Sequence, residues 1–176
     1  GGLLLGQGDP SLYKHPLQVV KFTESSLGEY FVNLGSLQVG DAHLTIGINE
    51  DLLIDTGTNF MYVSQLHYDT MIRDIKTQAN KAAHTTVDIK FDKKYNIWTF
   101  SCKYITSLPP LTFGLGPKGT VPLKLSYQSY ARNDQGSCYL IIKKEVDGES
   151  WTLPGSSFIG NYFEFQLDQG QVGIAQ

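Results

Sequence analysis

Apolar residues along this chain come in short runs, and glycine or turn residues end most of them before they grow long. The runs at 17–22, 29–34, 44–48, 52–54, 85–91, 97–102, 111–115, 139–143, 162–167 and 172–175 are rich in Val, Ile, Tyr and Phe. Many short β-prone runs at this spacing predict an all-β domain, a sandwich or something barrel-like. The clearest helix candidate is 64–75, where Leu66, Met71, Ile72 and Ile75 offer an apolar side and Ser64 stands in a capping position. The polar, alanine-rich stretch 78–84 that follows reads as a helix tail or a surface loop. Near the start, Gly2-Leu3-Leu4-Leu5-Gly6 reads as a buried strand with no lead-in, as though the chain opened in mid-fold. Leu108-Pro109-Pro110-Leu111 is a rigid extended step between strands, with too little proline for a polyproline ligand.

Length and composition narrow the picture. A chain of 176 residues, 41% hydrophobic and 18% charged, is long enough to bury one core, and a single domain over 1–176 is expected. No internal repeat, low-complexity tract or linker interrupts it. The net charge of −3 and the lack of a long basic run exclude a nucleic-acid partner, which needs clustered Lys and Arg. No apolar stretch reaches the roughly 18–20 residues of a membrane-spanning helix. There is no charged segment followed by an apolar one of the targeting type, so such a segment was removed or was never encoded here. The histidines His15, His43, His67 and His84 are scattered without metal-ligand spacing, so no metal or organic cofactor is expected. Cys102 and Cys138 permit one disulfide or two reduced core thiols, and composition leaves both open.

The chemistry concentrates at Leu52-Leu53-Ile54-Asp55-Thr56-Gly57-Thr58-Asn59-Phe60. Three aliphatic residues in a row imply a strand buried on both faces, which delivers a carboxylate to a dry strand end. Desolvation disfavours the charged carboxylate, so the residues that follow must supply donors. Thr56 and Thr58 bring hydroxyls, and Gly57 lets backbone approach the carboxylate where a side chain would obstruct it. Alone, Asp-Thr-Gly is equally an ordinary turn. Its surroundings are more specific.

The segment LLIDTGTNF resembles the second active-site loop of pepsin-like aspartic proteases, and its neighbours resemble the carboxy-terminal lobe of the same family. Gly6, Gly8, Asp9, Tyr13, Leu17 and Val19 fall in register with the family's opening segment. Glu29-Tyr30-Phe31-Val32 and Ser36-Leu37-Gln38-Val39 resemble the paired strands that lead to the aspartate. Cys102 with Ser107-Leu108-Pro109, and Gly136-Ser137-Cys138, resemble the family's two cysteine stretches. Phe158-Ile159-Gly160-Asn161 is similar to the hydrophobic-hydrophobic-Gly element beside the active-site loop, and 171–175 to the closing strand. Against that pattern, His15 replaces a usual glycine, Asn59 a usual serine, the stretch 160–168 is short, and a small disulfide before the loop is missing.

The resemblance implies an all-β, pepsin-like acid protease lobe of mostly antiparallel sheets with one or two short helices. It implies a disulfide between Cys102 and Cys138 and a lysosome-like or vacuolar, secretory or extracellular location. It implies that Asp55 is catalytic, that Thr58 bonds its outer oxygen, and that Thr56 interlocks with a counterpart in another lobe. An amino-terminal lobe, absent from this chain, would supply the second aspartate, and the pair would cut polypeptide substrates through an activated water. This chain alone is then expected to be inactive. Two other readings fit the same residues: a non-catalytic lobe that binds peptide or protein, and a homodimer of the retroviral type in which two copies of Asp55 meet.

Overall fold

The computed structural model describes residues 1–14, 16–23, 28–148 and 150–176, so His15 lies outside the described residues. The first half of the chain forms β1 (Gln18–Lys21), β2 (Phe31–Val39), β3 (Thr45–Asp55), β4 (Met61–Val63), the helix α1 (Gln65–Ala83), β5 (Lys90–Asp92) and β6 (Ile97–Phe100). The second half adds β7 (Leu111–Leu115), β8 (Val121–Leu125), β9 (Ala131–Asp134), β10 (Ser137–Leu140), β11 (Ile142–Lys144), β12 (Trp151–Pro154), β13 (Tyr162–Gln166) and β14 (Gln171–Ala175). They make a seven-stranded sheet in the order β11-β4-β12-β3-β2-β7-β8, a four-stranded sheet β5-β6-β10-β9, and a three-stranded sheet β1-β14-β13. Neighbours are antiparallel except β11 with β4 and β12 with β3.

The two strands that lead to the aspartate are longer than their apolar runs suggest. Residues 31–34 and 36–39 belong to one strand, β2, which absorbs an extra residue in a bulge between Leu34 and Ser36. Likewise 44–48 and 52–54 join in β3 through Asn49, which takes φ 53°, a left-handed conformation that asparagine tolerates. Pleating then sends Glu50, Leu52 and Ile54 inwards. Leu53, on the other face, stays half-exposed, so the expected burial on both faces holds only in part. Leu34, Leu52, Met61, Phe113 and Trp151 are each 0% exposed and form the centre of the core, each such side chain stabilising by about 1.5–3 kcal/mol relative to exposure.

The helix runs to Ala83, well past Ile75, and so absorbs most of the alanine-rich stretch. Tyr68, Met71, Ile72, Ile75 and Ala79 face the core at i, i+3, i+4 and i+7 spacing. Leu66 falls off that stripe and is 73% exposed. Ser64 occupies the N-cap, but its hydroxyl makes no capping bond and is buried without a partner. His84 ends the helix in a left-handed conformation with its amide turned back to the Asn80 and Lys81 carbonyls.

Four other expectations need correction. The run 85–91 supplies only β5, and 97–102 divides into β6 and a 3-10 turn at Cys102–Ser107. The run 139–143 splits between two sheets at Ile141, whose amide bonds Tyr130 while its carbonyl accepts from Met61. The opening leucines form no strand; Leu3 is 86% and Leu5 90% exposed. A disulfide joins Cys102 to Cys138 with the Cα atoms 5.2 Å apart, tying the 3-10 turn to β10. Among the described residues no helix is long and apolar enough to cross a membrane.

Candidate active site

Asp55 is the last residue of β3 and is half-buried, while Thr56 and Gly57 beyond it are exposed. The carboxylate turns back on its own loop: Oδ1 accepts the Gly57 N–H at 2.8 Å, and the Thr58 N–H donates to the Asp55 carbonyl at 3.4 Å. This is the compact turn that Asp favours two residues before an available amide. A β-carbon on Gly57 would stand 3.2 Å from Oδ1, a tight fit, so glycine suits the closest approach to the carboxylate. The Thr58 hydroxyl is engaged elsewhere, at 3.5 Å from both the amide and the carbonyl of Phe60. The bond from Thr58 to the outer oxygen of Asp55 is therefore not made here.

The strand beside Asp55 is β12, parallel to β3 with Trp151 opposite Leu52 and Pro154 opposite Asp55. Pro154, which has no N–H to donate, is the last residue of that strand. Gly155 then packs on the active-site loop; a β-carbon there would meet the Thr56 carbonyl oxygen at 3.0 Å. The hydrophobic element ending in glycine is thus Trp151–Gly155, and the placement at Phe158-Ile159-Gly160 is corrected. Phe158 instead stacks on Phe163 at 4.1 Å between centroids, and Ile159 is 44% exposed.

Midway along β3 lies a buried polar group that the sequence reading missed. Glu50 is 7% exposed on the core face of β3, and the Trp151 indole N–H donates to its Oε2. His67 Nε2, from the first turn of α1, stands 3.5 Å from Oε1, and its ring lies 5.7 Å from that of Trp151. A buried carboxylate needs such partners. Here they fasten α1, β3 and β12 to one another in the core, five residues before Asp55 on β3. Trp151 and Leu153, alternating before Gly155, were the available signal for this strand; nothing in the sequence paired Glu50 with either partner.

Asp9, read as a turn residue, accepts bonds from the amide and hydroxyl of Ser11 at 2.9 and 2.7 Å, which hold its carboxyl below the usual range. Among the described residues no three His, Cys, Asp or Glu side chains converge as a metal would need.

Set against known proteins, all of residues 1–176 match the eukaryotic aspartyl protease family. The chain belongs to that family. It is 27% identical to cathepsin D of Canis lupus familiaris over 185 residues, covering 100% of this chain and 40% of that protein. It is 24% identical to renin of Rattus norvegicus over 182 residues, 99% of this chain and 41% of the relative. With gastricsin of Mus musculus it shares 27% identity over 129 residues, 70% of this chain and 29% of the relative. The chain thus spans about two-fifths or less of the length of these relatives. The mostly antiparallel all-β architecture is that of a pepsin-like lobe, though its helix, at 19 residues, is not short.

Proposed function

We propose that this chain is the carboxy-terminal lobe of an aspartic endopeptidase, and that Asp55 is one of two carboxylates that cut a polypeptide. The observation that carries this reading is the seat of Asp55: a half-buried carboxylate at the end of a core strand, held by Gly57 and flanked by β12, in a chain whose whole length matches the protease family. An amino-terminal lobe would bring the second aspartate. Two carboxylates in close approach cannot both ionise cheaply, so they share one proton. The charged oxygen takes a proton from a bound water as that water attacks the scissile carbonyl, while the protonated carboxyl gives its proton to the carbonyl oxygen. The tetrahedral product collapses as the amide nitrogen gains a proton and the C–N bond breaks. No covalent intermediate is needed, and the pair titrates as a unit on the acidic side of neutrality. Thr56, exposed beside the carboxylate, would meet the other lobe. The disulfide supports an oxidising location, lysosome-like, secretory or extracellular.

The test is hydrolysis of peptides by the two-lobe protein at about pH 3–5, where carboxylates titrate. Asp55→Asn should abolish it while leaving the fold intact. The engagement of Thr58 with Phe60 favours a second reading, a lobe that binds peptide without cutting it. Peptide binding with no hydrolysis by the unmutated assembly would select that reading.

A further inference from the structure

The face of the sheet that carries Asp55 also carries a ring and a cation. In β4, Met61 and Val63 are buried in the core, so Phe60 and Tyr62 point from the opposite face; in β11, Ile142 is buried and Lys143 points the same way as Tyr62. Leu52 and Ile54 of β3 are likewise buried, which sets Asp55 on that same outer face. Register fixes the lengthwise position. Tyr62 faces Thr152 of β12, two residues before Pro154, which faces Asp55. Since β4 runs antiparallel to β12, Phe60 lies at the Asp55 end of the sheet. Lys143 pairs with Tyr62 and reaches back so that its Nζ stands 4.0 Å from the centroid of the Phe60 ring.

The lysine is half-buried and held by the ring. Among the described residues it enters no ion pair. The charges that follow it in the chain are committed elsewhere: Lys144 to Asp69 at 3.0 Å, and the Glu145 carboxylate to the amides of Val146 and Asp147. Across the strand pair it faces Tyr62. A positioned ammonium without a carboxylate, on the same face as Asp55, is available to whatever crosses that face.

We propose that Lys143, seated on Phe60, is a specificity-determining residue that selects an acidic side chain in the extended polypeptide bound across Asp55. This rests on reading Asp55 as a protease carboxylate. An extended chain turns alternate side chains to one face, so one substrate position to one side of the scissile bond meets Lys143. A glutamate or aspartate there forms an ion pair, a neutral isostere does not, and a lysine is repelled.

The test gives the two-lobe protein peptides that differ only in Glu, Gln or Lys, placed in turn at each position around the cleaved bond. At one position Glu should exceed Gln in kcat/KM by about two- to fivefold at about pH 5.5, the range of a partly exposed ion pair. The preference should shrink below about pH 4.3, where a free glutamate takes up its proton. The ratio is taken on one enzyme, so any pH effect common to both peptides cancels from it. Lys143→Gln should erase the preference, and Lys143→Glu should turn it towards Lys. Equal loss of activity on all peptides in Lys143→Gln, or no Glu preference at any position, overturns the proposal. If the unmutated protein cleaves nothing, the protease reading fails, and fluorescence anisotropy of the same peptides decides: binding that prefers Glu and follows Lys143 upholds the selection, and binding indifferent to Lys143 ends it.

Discussion

The seven-stranded and three-stranded sheets use similar residues, but this chain covers them to different degrees. In the first, Val32, Leu34, Leu52, Met61, Leu115 and Trp151 are 0% exposed, and even the buried carboxylate of Glu50 has its partners. In the second, every residue of β13 is only half-buried. Phe163 and Phe165 join Phe158, Phe22 and Tyr30 in a ladder of rings, and Tyr30 remains 37% exposed. The opening leucines are barer still. Side chains worth about 1.5–3 kcal/mol when buried are left partly in water along β13 and at the opening leucines, and are closed off in the seven-stranded sheet. The region that positions Asp55 is therefore completed by this chain's own residues. The other offers the apolar surface that the proposed second lobe would cover.

Trp151→Ala against Leu5→Ala tests that division most harshly. Loss of the buried indole should destabilise the chain by about 3–5 kcal/mol, towards the upper end because Glu50 then loses a donor in a dry place. Leu5→Ala, at a residue 90% exposed, should stay within about 0.5 kcal/mol. Urea denaturation of the two variants measures both. Comparable losses would show that the leucines are buried in solution and would break the comparison.

The same division explains what the sequence made legible. The strand-sized runs gave the all-β class, and the apolar residues before Asp55 gave its place at a strand end, because both depend on local alternation. The bulge in β2 and the left-handed Asn49 in β3 joined runs that look separate, since backbone irregularities leave the apolar pattern broken while pairing continues. β12 was overlooked because its parallel partner β3 lies almost a hundred positions earlier; such register is set by the sheet and not by the strand. The opening Leu3-Leu4-Leu5 failed for another reason. Its composition suits burial, yet Leu3, Leu4 and Leu5 stay exposed.

The disulfide sharpens the comparison from the four-stranded sheet. Cys102 and Cys138 close a loop across 36 positions, which by loop-closure entropy restricts the unfolded chain by roughly 4 kcal/mol. Replacing both by Ser should lower stability by up to about that amount. Hydrogen exchange should then show the greatest loss of protection in β6, β9 and β10, with β3 and β12 still the slowest to exchange. If β3 and β12 open first, the packing around Trp151 does not stand alone and the bridge is what closes the core.

The smallest expected effect asks whether the closed region is closed to water. Tyr130 is 0% exposed, its hydroxyl donates to the Pro109 carbonyl, and burial pushes its pKa well above the ordinary tyrosine value. Below about pH 10 the phenol keeps its proton whether the chain is folded or not, so its stabilising contribution is whole there. Above that value the unfolded chain releases the proton while the folded chain holds it, and the contribution drains away as pH climbs towards the higher folded value. Tyr130→Phe should cost about 0.5–1.5 kcal/mol near neutrality through the lost hydrogen bond, and it should flatten the alkaline fall in stability. Denaturation midpoints of both proteins from pH 8 to about 11 bracket the tyrosine range. An alkaline slope unchanged by the substitution would mean that Tyr130 ionises as readily folded as unfolded, and that water reaches the side of the molecule taken here as sealed.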